Sequence, residues 1–357
     1  MEKTQNGLPL NDCSSRFNVF LGTVLVMLEF SRVAVIGSNS FSGSHFAHRL
    51  LNQGNTVLGL SQSVEVADVF RPYSAPNESL EWVFRRININ NTPELKHALS
   101  DFKPEIVVNF AAQSMVGQSW LTPEDWYQTN VVGISKLARV LKDLPGLQRY
   151  VHVTTPEVYG STNGWIKESF EFHPSTPYAV SRAAGDWHLK CMFEEFGLPV
   201  VFTRAANVYG PGQQLYRIVP RAILSALLGR KLPLDGGGLS TRSFIHIDDV
   251  ARATQMIAEN GRDGETYHIS TDHLVTIRGL VEQICELTGV PFDSFVEVVG
   301  DRPGKDMAYQ LDSSKIQHEL GWNPEISLED GLLDTLDWAR VNLDELSKLP
   351  VTYSHKK

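Results

Sequence analysis

The residues of this chain best suited to chemistry lie in two motifs, HVTTPEVYG and, further along, YAVSR. Tyr178 and Arg182 stand four residues apart in the second motif, so a helix would place both side chains on one face. A fixed positive charge favours phenolate and lowers the pKa of a phenol. We therefore expect Tyr178 to accept the proton of an alcohol while hydride leaves the same carbon, with Thr155 and Glu157 of the first motif nearby.

Short apolar segments that alternate with helical segments must position these groups. Such alternation is typical of βαβ units and predicts an α/β fold with a doubly wound parallel Rossmann sheet. After Gly212 the pattern becomes irregular, which indicates a smaller C-terminal substrate-binding lobe. The predicted strands are 32–36, 56–60, 105–110, 150–154 and 199–204, and the predicted helices are 44–53, 125–144 and 178–196.

The composition restricts the class of partner. The chain has 357 residues, 42% hydrophobic and 20% charged, as is usual for a soluble globular protein. Its net charge of -9 argues against a nucleic-acid-binding surface or an anionic membrane surface. The three cysteines, Cys13, Cys191 and Cys285, are far apart and form no CxxC, so neither a metal site nor a disulfide framework is predicted. A reducing, cytoplasmic setting fits best.

The first 26 residues carry no catalytic motif. Their apolar run, 18–28, is too short to span a bilayer and lacks the basic region and cleavage site of a secretory signal. We interpret residues 1–26 as a dispensable leader, and expect a chain that starts at Met27 to fold and to be active. The alternative is an N-terminal anchor for a membrane or a partner.

The segment GSNSFSG follows the first predicted strand and opens the first helix. In a dinucleotide-binding turn, glycines let the backbone approach the pyrophosphate, and the helix N-terminus supplies amide donors. The spacing fits such a turn, except that Ser40 stands in place of the middle glycine. The predicted cofactor contacts in this segment are Gly37, Asn39, Ser40, Phe41, Ser42 and Gly43.

Other candidate cofactor contacts leave the choice between NAD and NADP open. The second strand runs into serine and glutamine, with neither the acidic residue that holds the NAD ribose nor an arginine for a 2′-phosphate. Asn88 and Ile89, which follow the next strand-like segment, could flank adenine. The small residues Ala111 and Ala112, after strand 105–110, would let a nicotinamide ribose approach the backbone. These further contacts are Ser61, Asn88, Ile89, Ala111, Ala112 and Gln113.

The most specific motifs lie in the second half: RAANVYGPGQQLYRIVP at 204–220, RSFIHIDDV at 242–250, DRPGKD at 301–306, and DSSKI with ELGW between 312 and 322. Through them the chain resembles the extended short-chain dehydrogenases/reductases of the nucleotide-sugar type, from about residue 32 to about residue 342. The pattern is most similar to dTDP-glucose 4,6-dehydratases, and AAQS at 111–114 is similar to GDP-mannose 4,6-dehydratases.

The resemblance implies a nucleotide-sugar substrate and a homodimer in which helices 125–144 and 178–196 pair with their copies. A diphosphate needs several cationic or amide donors that converge on it. The residues at matching positions, which we expect to bind the substrate, are Asn207, Arg217, Arg242 and Arg302. The expected division is an extension at 1–26, a Rossmann domain at 27–206 and 241–269, a nucleotide-sugar-binding lobe at 207–240 and 270–345, and a tail at 346–357.

The implied reaction is an internal redox elimination. Tyr178 takes the proton of the sugar 4-hydroxyl, which Thr155 hydrogen-bonds, while hydride passes from C4 to NAD (NADP is the alternative). Glu157 then removes the C5 proton, the C6 hydroxyl leaves as water, and hydride returns to C6. The product is a 4-keto-6-deoxy sugar.

Two positions depart from this family. Pro156 stands where the glucose enzymes carry an aspartate that protonates the leaving hydroxyl, which leaves that acid open. Arg182 replaces the usual lysine and keeps the charge in a different geometry. The alternatives are a 5,6-dehydratase, a UDP-glucuronate decarboxylase or a 4-epimerase on the same fold, and a cofactor-binding protein without catalysis.

Overall fold

The computed structural model describes residues 32–73, 82–300 and 309–355. The predictions for residues 1–26, for a start at Met27 and for Arg302 therefore lie outside the described residues. None of the helices in the described ranges combines the length and apolarity that a bilayer crossing requires.

The described strands alternate with helices as the sequence predicts. The strands are β1 (Arg32–Ile36), β2 (Thr56–Ser61), β3 (Trp82–Arg86), β4 (Ile106–Asn109), β5 (Arg149–Val153), β6 (Trp165–Ile166), β7 (Val200–Ala205), β8 (Asn207–Tyr209), β9 (Leu232–Asp235), β10 (Thr241–His246), β11 (Thr266–Ile269), β12 (Leu274–Thr276), β13 (Val296–Val299) and β14 (Gln310–Leu311). The helices are α1 (Phe41–Asn52), α2 (Thr92–Phe102), α3 (Pro123–Tyr127), α4 (Ile134–Lys142), α5 (Pro177–Phe196), α6 (Ile218–Leu227), α7 (Ile247–Asn260), α8 (Ile277–Thr288), α9 (Phe292–Phe295), α10 (Ser314–Leu320), α11 (Leu328–Val341) and α12 (Leu343–Leu346).

In the described part of the chain the main sheet has seven strands in the order β11-β7-β5-β4-β1-β2-β3. Every neighbouring pair in it is parallel. The strand order reverses between β1 and β4, and ligands of such sheets bind at that point, beyond the carboxyl ends of the strands. The predicted doubly wound Rossmann sheet is therefore confirmed, and its reversal point places the site.

Both faces of this sheet are covered, because the side chains of each strand alternate between them. In β1, Ala34 and Ile36 face a core formed with α2, α4 and α5. Val33 and Val35 face the opposite side of the sheet, where α1 forms most of the covering layer. The near-continuous apolar composition of these strands follows from burial on both sides.

A second core lies outside the main sheet. It joins α6, α8 and α11, through residues such as Ile223, Leu280 and Leu336. A small sheet in the order β12-β10-β8 accompanies it, and β8 follows directly after β7 of the main sheet. The irregular pattern after Gly212 therefore corresponds to short strands and helices that pack beside the carboxyl edge of the main sheet.

Two elements differ from the prediction. Helix α1 begins at Phe41 instead of Ser44, because the Ser40 hydroxyl accepts the amide of Gly43 and caps the helix there. The helix predicted at 125–144 is divided, since α3 and α4 are joined by a π-helical segment, Gln128–Gly133. Such segments are rare and occur frequently at functional sites.

Candidate active site

The turn between β1 and α1 is packed so tightly that two of its residues must be glycine. A Cβ atom on Gly37, whose φ is +82°, would lie 2.5 Å from the amide nitrogen of Ala111. A Cβ atom on Gly43 would lie 2.3 Å from the carbonyl oxygen of Gly37. Ser40, Phe41 and Ser42 line a cavity at the helix N-terminus, so this turn fits the phosphates of a dinucleotide.

Asn39 and Asn88 hold the loop that follows β2. The side-chain amide of Asn39 donates to the carbonyl oxygens of Ser63, at 3.1 Å, and Val64, at 2.7 Å. Asn88 donates to the side-chain oxygen of Gln62 at 3.1 Å. Ser61, Asn88 and Ile89 thus lie at the ends of neighbouring strands, but the side chain of Ile89 is buried in the sheet core.

Beyond β4, the chain is tied to α5 by Asn130 of the π-helical segment. The Asn130 side chain accepts the amide of Gln113 and donates to its carbonyl oxygen, both at 2.9 Å. It also donates to the hydroxyl of Ser181 at 2.9 Å. Ala112 lines the cavity, and Ala111 contacts the glycine turn. Sequence reasoning missed Asn130, although a polar residue inside an amphipathic helix was a possible signal.

The four predicted catalytic residues line this same cavity of about 520 Å³. Thr155 caps a 3₁₀ turn that runs from Pro156 to Tyr159, and its hydroxyl accepts the amide of Glu157 at 3.3 Å. Tyr178 lies in the first turn of α5, and its pKa is lowered by the nearby Thr155 side chain. Strand β5 and helix α5 therefore bring the hydroxyl, the carboxylate and the phenol to one place.

The pKa of Tyr178 is raised to about 12, mainly by burial and next by the negative charge of Glu157. Arg182, the hydrogen bond with Thr155 and Arg217 lower it. The prediction that the charge of Arg182 lowers the pKa of Tyr178 is therefore correct. The expectation of a net activated phenol is wrong for the protein alone, because desolvation outweighs the neighbouring charges.

Arg182 is buried, and its guanidinium donates to the carbonyl oxygen of Val153. One turn further along α5, Asp186 forms a fully buried ion pair with Arg204 at 3.0 Å. The hydroxyl of Thr154 donates to the same carboxylate at 3.0 Å. These contacts fix the end of β5, immediately before the predicted catalytic threonine, and nothing in the sequence pattern indicated them.

On the opposite wall, Asn207, Arg217 and Arg242 all line the cavity, as predicted for the substrate site. The Asn207 side chain accepts the hydroxyl of Tyr309 at 3.2 Å. The guanidinium of Arg242 lies over the Tyr309 ring, 4.9 Å from its centroid. Two cations and an amide thus line the same cavity as the predicted catalytic residues.

Tyr309 is the main residue that sequence reasoning missed. It is buried, lines the cavity, and has its pKa raised by burial and by the charges of Glu157 and Tyr178. Its phenol therefore keeps its proton at neutral pH between the catalytic group and the arginines.

Pro156 occupies the first position of its 3₁₀ turn, where its ring is well accommodated. It has no side-chain proton to give.

Comparisons with known proteins agree with this geometry. The sequence model of the GDP-mannose 4,6 dehydratase family matches residues 35–335. A dTDP-glucose 4,6-dehydratase of Streptomyces niveus is 38% identical over 320 residues, covering 87% of this chain and 93% of the relative. One of Xanthomonas campestris pv. campestris is 32% identical over 326 residues, covering 86% and 93%.

Solved structures show the same relationship. The dTDP-glucose 4,6-dehydratase of Streptomyces venezuelae, with NAD bound, superposes with a TM-score of 0.80 at 33% identity. The superposition covers 88% of the present chain and 98% of the S. venezuelae chain. UDP-glucose 4-epimerase of Thermotoga maritima superposes with a TM-score of 0.79 at 28% identity, covering 87% and 99%. The chain therefore belongs to the GDP-mannose 4,6 dehydratase family, within the extended short-chain dehydrogenases/reductases.

Proposed function

We propose that this protein is a nucleotide-sugar 4,6-dehydratase, a lyase that converts an NDP-hexose to its 4-keto-6-deoxy derivative. The observation that carries the proposal is the shared cavity, in which Thr155, Glu157 and Tyr178 face Arg217 and Arg242. The names of the relatives support the same reaction. Glu157 separates this reaction from 4-epimerisation, which requires no base for C5.

NAD is the proposed cofactor, since dehydratase and epimerase neighbours contain it. The glycine turn and the amides at the start of α1 would hold its pyrophosphate, and Ser61 and Asn88, at the ends of neighbouring strands, would contact its adenosine. When bound, NAD supplies the acceptor and then the donor of the hydride. Mass spectrometry of the molecules released from the denatured protein tests this assignment and distinguishes NAD from NADP.

In this proposal, side chains of the protein accept and donate the protons of the reaction. Tyr178 accepts the proton of the 4-hydroxyl, and Thr155 hydrogen-bonds the same oxygen. Once C4 is a ketone, the C5 proton is acidic, and Glu157 removes it. Arg182 favours the phenolate of Tyr178 through its charge.

The proton for the leaving C6 hydroxyl comes from Tyr309 in this proposal. As the C5–H electron pair forms the C5–C6 double bond, the C6–O bond breaks and the phenol proton passes to that oxygen, giving water. Hydride then returns to C6 and the proton held by Glu157 returns to C5, while the proton that Tyr178 gained offsets the one that Tyr309 gives up. The support is the position of Tyr309 beside Glu157 and Tyr178, together with the lack of a proton on Pro156. In the alternative, Glu157 itself returns the C5 proton to the leaving oxygen.

We also propose a homodimer and a cytoplasmic location. The helices α3 to α5 and the turn before α3 expose large apolar side chains, including Leu121 at 79%, Trp120 at 52%, Trp187 at 48% and Val180 at 41%. A second copy of this surface would cover them, as a four-helix bundle. The described cysteines, Cys191 and Cys285, are free thiols, which suits a reducing compartment.

The activity test is incubation of the purified protein with dTDP-glucose, UDP-glucose and GDP-mannose in separate reactions. A dehydratase gives a product that has lost water and shows the alkaline absorbance of a 4-keto sugar. An epimer of unchanged mass would replace this proposal with 4-epimerisation. A 5,6-dehydratase would lose water without forming a stable 4-ketone.

A further inference from the structure

Residues 347–355, called the strap below, run from the second core across the edge of the cavity. Leu349 and Val351 pack against the second core. Beyond them, the ring of Tyr353 meets the ring of Tyr216 edge to face, with 5.3 Å between centroids. Tyr216 lines the cavity, so the strap supports one of its walls from outside.

The far end of the strap is attached to helix α3, beside the main sheet. The imidazole of His355 stacks on the fully buried indole of Trp126, with centroids 4.9 Å apart and planes inclined by 11°. Its Nε2 atom lies 2.9 Å from Oδ2 of Asp125. Its Nδ1 atom lies 3.3 Å from the hydroxyl of Tyr353. The anchor therefore also fixes the orientation of Tyr353.

The wall that Tyr353 supports carries a cation of the substrate site. The guanidinium of Arg217 lies over the Tyr216 ring, 5.5 Å from its centroid. The amide of Arg217 donates to the carbonyl oxygen of Gln214 at 3.0 Å, which holds the local turn. A cation over an aromatic face is attracted to it, so the position of Tyr216 influences where Arg217 points.

We propose that Tyr353 is a positioning residue for the ligand site, acting through Tyr216 on Arg217, and that His355 anchors it. The proposal rests on the proposed function, because it assigns Arg217 to the diphosphate of a nucleotide sugar. A guanidinium that is already aimed at its anion loses less conformational freedom on binding than a free one. The strap therefore raises affinity for the diphosphate without touching the reacting carbons.

The test measures dTDP and NAD binding calorimetrically for the wild-type protein and four variants, two at Tyr353 and one each at His355 and His97. Tyr353→Ala removes the ring pair and should weaken dTDP binding roughly threefold to tenfold, as expected for an aromatic contact. Tyr353→Phe keeps the ring and should stay within about twofold of wild type. NAD affinity should not change, because the strap does not reach the glycine turn.

His97→Ala is the matched control for His355→Ala. His97 also pairs with a carboxylate, Asp101 at 3.3 Å, but on α2, which does not line the cavity. His355→Ala should weaken dTDP binding, and His97→Ala should not. An unchanged dTDP affinity in Tyr353→Ala, or an equal loss of NAD affinity, would overturn the proposal.

Hydrogen exchange separates this proposal from the proposed function. If the strap positions the wall, amides 213–217 exchange faster in Tyr353→Ala than in Tyr353→Phe. If wild-type protein binds none of dTDP, UDP and GDP, the proposed substrate class is at fault, and this exchange rate alone decides the role of the strap. Equal exchange in the two variants would then refute it.

Discussion

Glu157 and Tyr178 face the same cavity, and the negative charge of Glu157 raises the pKa of the Tyr178 hydroxyl. The two predicted bases are therefore coupled, although they act on different protons. When Glu157 is ionised, ready to accept the C5 proton, it opposes formation of the phenolate that oxidises C4. Removal of the Glu157 charge should consequently favour oxidation at C4 while it removes the base for the C5 proton.

The variant Glu157→Gln should reduce its cofactor when given substrate and then stop. The amide keeps the shape but cannot accept the C5 proton, so product formation should fall by about 10²–10⁴. Loss of the negative charge lowers the pKa of Tyr178, so cofactor reduction should reach a given rate at a lower pH than in wild type. Stopped-flow absorbance of the reduced cofactor across pH measures this shift.

Tyr178→Phe is the comparison for that experiment, since it should abolish cofactor reduction itself. A Glu157→Gln enzyme with near wild-type turnover would contradict the elimination mechanism. It would favour a reaction that needs no base at C5.

The variant Arg182→Gln should move the pH dependence of cofactor reduction upward. The charge of Arg182 lowers the pKa of Tyr178, which is already about 12, so its removal raises that pKa further. The phenolate fraction at a fixed lower pH falls about tenfold for each unit of pKa. Arg182→Lys keeps the charge and should shift the profile less. Identical profiles for wild type and Arg182→Gln would show that the charge does not control the base.

The variant Tyr309→Phe should separate removal of the C5 proton from loss of water. If Tyr309 protonates the leaving hydroxyl, the variant still reduces its cofactor and exchanges C5 hydrogen with deuterated solvent. Its rate of product formation should fall by about 10²–10⁴, as expected for the loss of a general acid. Product formation at the wild-type rate would instead assign that proton to Glu157.

The variant Gly185→Ala should destabilise the protein by about 1–3 kcal/mol, since α5 crosses the π-helical segment at this glycine. A Cβ atom there would lie 2.6 Å from the carbonyl oxygen of Asn130, which holds the strand end beyond β4. Gly117→Ala is the control, because no atom lies within 4 Å of its added Cβ. Its unfolding free energy should change by less than about 0.5 kcal/mol in denaturant titrations. Equal stability of the two variants would refute the close crossing.

The variant Val180→Asp should convert the proposed dimer to monomer. It places a charge on the exposed apolar face of α5, which would be buried between two copies. Val341→Asp is the matched control, since Val341 is 84% exposed but lies on α11. Sedimentation velocity at micromolar concentration measures whether each variant is a monomer or a dimer. A wild-type monomer, or a dimer that survives Val180→Asp, would count against this surface.

Local patterns predicted much of the fold and several cavity-lining residues. The apolar strands, the glycine turn and the four-residue spacing of Tyr178 and Arg182 depend on neighbouring residues, and such signals can be read from one sequence. The resemblance supplied Asn207, Arg217 and Arg242, which are far from the glycine turn in the sequence. These residues meet Thr155 and Glu157 because the strand order of the folded sheet reverses between β1 and β4.

Other contributors had no local signal. Tyr309 belongs to none of the sequence motifs, and its contact with Asn207 joins residues far apart in the chain. The buried pair of Asp186 and Arg204 likewise joins a helix to a strand, and both look like ordinary surface charges in the sequence. The net effect on Tyr178 also depends on burial, which outweighs the single charge that the spacing revealed.

The late position of β11 in the chain has a consequence for biosynthesis. Strand β11 pairs with β7 and closes that side of the main sheet, but β8 to β10 and α7 are made between them. A nascent chain that has not yet reached Thr266 therefore leaves the backbone edge of the apolar strand β7 without its partner. Uncovered edges recruit strands from other molecules. A ribosome that pauses between β8 and β10 would therefore hold a polypeptide that already contains the whole glycine turn and is prone to aggregate through the edge of β7.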